Sequence, residues 1–132
     1  MIRLAVPRVL LIEDYDGARD ALASLLTEDG YAVCIAETGE EGIKRAGEFL
    51  PHAIVCDFSL PDIDGLQVMR RLRASRQDVF IIVVTGGRFG ADGERELRAE
   101  ADVFLDNPVD LALLREALNR ATGQNGAVQA PH

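Results

Sequence analysis

The sequence predicts an α/β fold: a doubly wound sheet of five parallel strands in the order 2-1-3-4-5, covered by five helices. Three observations carry that expectation. Five short apolar runs rich in β-branched residues alternate with segments of helical period. The runs are nearly continuous in apolar residues, as in strands covered on both faces; a strand with one wet face alternates instead. The chain has 132 residues, 48% of them hydrophobic, enough for one core and too few for two ordinary domains.

The first strand is expected over Arg8–Ile12, followed by the acidic pair Glu13-Asp14. Ala18, Leu22, Leu25 and Leu26 then make one apolar stripe at helical spacing. The second strand is Ala32–Ala36, and Ile43, Ala46, Gly47 and Leu50 form the stripe of the next helix. The third strand, Ala53–Asp57, closes on a carboxylate, and Leu66, Met69 and Leu72 mark a third helix. A fourth strand is expected over 79–84.

The stretch 86–100 is weak in helical signal. Gly90 and Gly93 would each cost a helix interior about 1 kcal/mol relative to alanine, so the fourth helix is expected to start near Glu94 and to be the least rigid element. A fifth strand over 102–105 leads past Pro108 to a last helix with Leu111, Leu114, Leu118 and Ala121, and Gly123 is its stop signal. Residues 1–121 thus read as one domain. Residues 122–132, small or polar and without periodicity, read as a mobile tail or linker stub.

Composition narrows the function. The formal charge of −8 argues against direct nucleic-acid binding, which needs clustered Lys and Arg, and favours protein partners. No apolar run reaches membrane-spanning length, and the first residues lack the pattern of a secretory signal, so the expected compartment is the cytoplasm. Cys34 and Cys56 sit in apolar runs, as small buried thiols do in a reducing compartment. Thirteen of the fourteen basic residues are arginines, and the exception is Lys44.

In a doubly wound sheet, ligands bind beyond the carboxyl ends of the strands, where the strand order reverses. Those ends are polar here: Glu13-Asp14 after the first strand, Asp57 at the third, Thr85 at the fourth, and Asn107-Pro108 after the fifth. Carboxylates crowded together repel, and without a cation one of them takes up a proton. Mg2+ suits such a set, because it accepts one or two carboxylates and a carbonyl, keeps several waters and leaves room for phosphate oxygens. With the cluster neutralised, one carboxylate can attack phosphorus in line, and Thr85 is placed to give a hydroxyl to the transferred oxygens.

These residues resemble a known family. The runs Val9-Leu10-Leu11-Ile12-Glu13-Asp14-Tyr15-Asp16, Ile54-Val55-Cys56-Asp57-Phe58-Ser59-Leu60-Pro61-Asp62-Ile63-Asp64-Gly65 and Val83-Val84-Thr85-Gly86 look like the motifs of response-regulator receiver domains, in order and spacing. The likeness covers roughly residues 7–121 and is to the chemotaxis-regulator type, whose fold is flavodoxin-like.

The resemblance implies that Asp57 is the phospho-acceptor, that Asp14 and Asp57 ligate Mg2+, that Glu13 acts through metal-bound water, and that Ser59 gives its backbone carbonyl. It implies that Thr85 bonds the phosphoryl group and that Phe104 is the switch aromatic, turning inward as Thr85 moves. It implies a sensor histidine kinase or phosphotransfer protein as donor, a downstream protein met by the fourth helix, fifth strand and fifth helix, and no conventional enzyme activity beyond the domain's own phosphoryl transfer and dephosphorylation.

One position departs from the family. Asn107 stands where the family carries Lys, which removes a charge-assisted contact worth roughly 1.5–3 kcal/mol. Arg88, three residues beyond Thr85, could place a guanidinium over the site instead. The family's equivalent of the Asn107-Pro108 bond is often cis, although an X–Pro bond by itself favours trans.

Plainer roles stand beside these. Glu13 and Asp14 could cap the first helix, and Asp62 and Asp64 read as turn and cap residues around Pro61 and Gly65. Thr85 could be a strand terminus and Phe104 a core aromatic; His52 falls in a surface loop, His132 in the tail, and the charges of 94–100 on a solvated helix face. Two functions therefore remain: a phosphorylatable receiver, or a pseudo-receiver that binds partners without phosphorylation, supported by Asn107. A phosphatase with an aspartyl nucleophile would want a second Asp where Ser59 stands, and the turn 13–17 lacks the glycines of a dinucleotide site.

Overall fold

The carboxyl ends of five parallel strands share one rim in the computed structural model, which describes residues 6–57, 65–75, 78–85, 91–106 and 109–123, without the side chains of 91–94 and 97. In chain order the elements are β1 (Arg8–Ile12), α1 (Asp16–Glu28), β2 (Ala32–Ala36), α2 (Gly39–Phe49), β3 (Ala53–Asp57), α3 (Gly65–Ser75), β4 (Phe80–Thr85), α4 (Ala91–Glu100), β5 (Val103–Asp106) and α5 (Leu111–Thr122). The strand order is β2-β1-β3-β4-β5 and every pair is parallel, as the alternating pattern predicts.

Strand alternation divides the core in two. Val9, Leu11, Val55, Ile82 and Val84 face Leu22 and Leu26 of α1 and Leu114 and Leu118 of α5. Their neighbours Leu10, Ile12, Ile54, Cys56, Ile81 and Val83 face Ala46 of α2 and Val68, Met69 and Leu72 of α3. Both faces of β1, β3 and β4 are therefore dry, which explains their unbroken apolar sequence.

Helix ends follow local chemistry. Thr38 caps α2 by accepting from the Glu41 amide at 3.1 Å, and the Glu41 carboxylate accepts from the Glu37 amide at 2.7 Å, a variant of the capping box. Asp110 caps α5 by accepting from the amides of Ala112 and Leu113. Gly123 ends α5 with φ 74°, the left-handed conformation its stop signal requires. Leu111, read from spacing as part of the buried stripe, is 43% exposed, and the stripe proper is Leu114, Ala117 and Leu118.

Three boundaries differ from expectation. β4 and β5 each lie one residue further along than 79–84 and 102–105. Asp102, just ahead of β5, still meets β4 twice: its amide donates to the Ile81 carbonyl at 2.9 Å, and its carboxylate accepts from the Ile81 amide at 2.8 Å and from the Arg73 guanidinium at 2.7 Å. α4 begins at Ala91 rather than near Glu94. Gly93 thus lies inside the helix as its third residue, and its backbone-entropy cost of about 1 kcal/mol is offset by the contacts of α4 with α3.

Candidate functional site

β1 and β3 are neighbours, with Ile12 opposite Cys56, so the residues that close these strands are brought side by side. Carboxylate oxygens of Glu13, Asp14 and Asp57 all lie within 4.8 Å of one another. Glu13 is buried, Asp57 half-buried and Asp14 exposed, so the cluster grades from the protein interior to solvent.

Glu13 is held from both sides. Its amide donates to the Ala36 carbonyl at 3.0 Å, and its carboxylate accepts from the Tyr15 amide at 3.2 Å. Tyr15 is the N-cap residue of α1 and makes no side-chain cap, so the acidic pair lies ahead of the helix start and Asp14 is left facing the cleft. Burial raises the Glu13 carboxyl, and repulsion from Asp57 and Asp14 adds to it. The Tyr15 amide opposes that rise, and the outcome is a pKa of about 7.

Thr85 is 4% exposed at the end of β4, and Asp57 stands in register with Val84, one residue before it. Ile81 and Val83 belong to the α2–α3 side of the core, so alternation puts Thr85 on that side as well. Phe104 pairs with Val83 and packs half-buried against the same side. Thr85 and Phe104 therefore share one face of the sheet, offset by two residues along adjacent strands.

The donor set fits a hard divalent cation: carboxylate oxygens, no thiolate or imidazole, and a carboxyl whose raised pKa a cation would relieve. Cys56, next to Asp57, is fully buried and its thiol is pushed up by that burial and by the neighbouring carboxylates, which leaves it inert. Ser59, Asn107 and Arg88, the Asn107-Pro108 bond, and Asp62 and Asp64 lie outside the described residues.

Two contacts escaped the sequence reading. Arg98, grouped there with a solvated face, sets its guanidinium carbon 4.2 Å from the centre of the Phe104 ring. Arg73 ties α3 to the segment before β5, donating to the Glu100 carbonyl and to Asp102. No local signal marks either: Arg73 reaches partners 27 and 29 positions on, and Arg98 meets Phe104 only because the chain turns back from α4 into β5.

Comparison with known proteins agrees with this arrangement. The family profile described as the response regulator receiver domain matches residues 9–119. The transcriptional regulatory protein AfsQ1 of Streptomyces coelicolor is 40% identical over 92% of this chain and 53% of its own length. The response regulator MprA of Mycolicibacterium vanbaalenii is 34% identical over 91% of this chain and 54% of its own. The chain thus spans about half the length of these curated relatives.

Among solved structures, the receiver domain of the sensor histidine kinase PA1611 from Pseudomonas aeruginosa, with a magnesium ion coordinated in its active-site cleft, superposes with a TM-score of 0.80. It is 30% identical over 90% of this chain and 99% of its own. A CheY-like receiver domain protein from Methanospirillum hungatei gives a TM-score of 0.81 at 26% identity, over 91% of this chain and 97% of its own. On its fold, its family profile and these relatives, the chain belongs to the response regulator receiver domain family of two-component systems.

Proposed function

We propose that Asp57 is the phosphoryl acceptor of this receiver, with Mg2+ held by Asp14 and Asp57 directly, by Glu13 through water and by the Ser59 carbonyl. The observation that carries the proposal is the meeting of three carboxylates within 4.8 Å, one residue across the sheet from a buried threonine. A central strand has no structural reason to end on such a cluster, because each buried carboxylate costs stability unless it is compensated.

In the reaction, an Asp57 carboxylate oxygen attacks the phosphorus of a phosphohistidine. The new P–O bond forms as the P–N bond breaks, and the imidazole leaves with the electron pair of that bond and takes a proton. Bound Mg2+ would supply charge neutralisation for the acidic cluster and for the phosphoryl oxygens. The Thr85 hydroxyl donates to a phosphoryl oxygen, and its movement is read by Phe104 on the same face. Asn107 offers a neutral amide in place of the family's ammonium, so the step weakened is the coupling from phosphoryl group to surface.

The donor is a sensor histidine kinase or a phosphotransfer protein, and the output is a protein contact on the face formed by α4, β5 and α5. The net charge of −8 favours protein over direct nucleic-acid contact. Asn107 also favours a second reading, a pseudo-receiver that binds its partner without phosphorylation. One experiment separates them: acetyl phosphate and Mg2+, followed by intact mass, on the wild type and on Asp57→Ala. A phosphoryl adduct that needs both Asp57 and Mg2+ supports the receiver. No adduct, with no Mg2+ response, transfers the assignment to the pseudo-receiver.

A further inference from the structure

We infer that Arg98 is a positioning residue for the switch, a cationic latch on Phe104 that holds the aromatic in its resting place; the inference rests on the receiver reading above. Arg98 lies on the exposed side of α4, and its guanidinium carbon is 4.2 Å from the Phe104 ring centre, well inside the ~6 Å reach of a cation–π contact. The other such pair among the described residues, Arg120 over Phe80, is 5.9 Å apart, at the edge of that reach.

The turn of α4 that carries Arg98 is itself tied down. Two residues before it, Glu96 pairs with Arg70 of α3 at 3.2 Å. Two residues after it, the Glu100 carbonyl accepts from the Arg73 guanidinium at 3.2 and 3.0 Å, and the Glu100 carboxylate lies 4.0 Å from Arg70. Arg98 therefore reaches β5 from a turn of α4 tied to α3, so that only its side chain, and not its helix, is free to follow a moving ring.

Thr85 lies two residues beyond the Val83–Phe104 pair on the same face, so a ring that answers Thr85 must change its side-chain rotamer. A jump between staggered wells carries a phenyl ring by about its own width, more than a cation–π contact tolerates. The contact belongs to the resting position and is lost in the switched one. Arg98 thereby biases the switch toward rest and loosens phosphoryl binding in proportion, because a ligand that selects the minor state has its affinity lowered by that state's population.

The test uses the full chain with Mg2+ and beryllofluoride, reading apparent affinity by calorimetry and the Phe104 ring by NMR of protein carrying labelled phenylalanine. Arg98→Met, which keeps the aliphatic stem and removes the charge, is expected to tighten beryllofluoride binding by about two- to fivefold and to shift the Phe104 ring signals. Arg98→Lys, which keeps the charge, lies between it and the wild type. In the Phe104→Leu background Arg98→Met leaves the affinity unchanged.

Equal tightening with and without the ring overturns the latch, and so does an Arg98→Met protein whose affinity is that of the wild type, even if its denaturation midpoint has moved. A wild type that fails to bind beryllofluoride overturns the receiver reading and the latch together; binding that is insensitive to Arg98 overturns the latch alone.

Discussion

Gly42 lies in α2 with its Cα against Ile12, the last residue of β1 and the one before Glu13. A methyl group built there would sit 2.4 Å from Ile12 Cδ1, 2.9 Å from Cγ1 and 3.2 Å from Cγ2. Ile12 is fully buried, so its side chain has no open space to turn into. Gly42→Ala gains about 1 kcal/mol of helix propensity. Against that, overpacking a close-packed core costs about 1–3 kcal/mol.

Since Cγ1 must move as well as the terminal methyl, the net expectation is a loss of about 1–2 kcal/mol. Ile12→Val, which deletes Cδ1, costs about 0.5–1.5 kcal/mol by itself. In the Gly42→Ala background it removes the worst clash, so the double variant should be about 1 kcal/mol more stable than the sum of the two single losses. The chain has no tryptophan, so urea melts of all four proteins would be followed by far-UV circular dichroism. Strict additivity, or a Gly42→Ala protein more stable than wild type, would refute the claim that glycine is required for the approach of α2 to β1.

The raised Glu13 carboxyl makes the metal-free protein sensitive to pH. Its folded pKa of about 7 lies above the ordinary 4.5, so the folded state holds the proton more tightly, and stability falls as pH rises from about 4.5 through 7. The loss is at most about 3 kcal/mol, Glu13→Gln should flatten it, and Mg2+ should offset it more as pH rises; denaturant midpoints between pH 5 and 8, with and without Mg2+, check both. Asp110→Ala removes the acceptor for two α5 amides and should cost about 1 kcal/mol, read as a lower urea midpoint at unchanged slope. Arg73→Met should cost about 2–3 kcal/mol, because the side chain is only 19% exposed and its guanidinium serves Asp102 and the Glu100 carbonyl together. It should also raise amide exchange at the C-terminal end of α4; a variant with native stability and native exchange would refute the tie.

Most of the frame was legible because the signals that set it are local. Leu10, Leu11, Ile12 and Ile54, Val55, Cys56 are contiguous apolar runs that only a strand buried on both faces accommodates, and each ends in a residue that such a strand would not otherwise hold. Glu13, Asp14, Asp57 and Thr85 could therefore be named before any coordinate, since a parallel sheet delivers all its carboxyl ends to one rim. The caps Asp110 and Gly123 are equally local.

Tertiary structure decided what depends on residues far apart in the chain. The Asp102 carboxylate has no visible task until Ile81 and Arg73 are brought to it, and Gly42 reads as a weak helix residue until Ile12 fills the space beside it. The protonation of Glu13 is set by burial and by Asp57, forty-four positions away. Arg98 and Phe104 are near in sequence, yet Arg98 is one more surface charge until the fold back from α4 into β5 sets the ring beneath it. Hydrophobic period and polar strand ends determine the sheet and gather the acidic cluster. The energies of that cluster and of its neighbours belong to distances between elements, which no window of sequence contains.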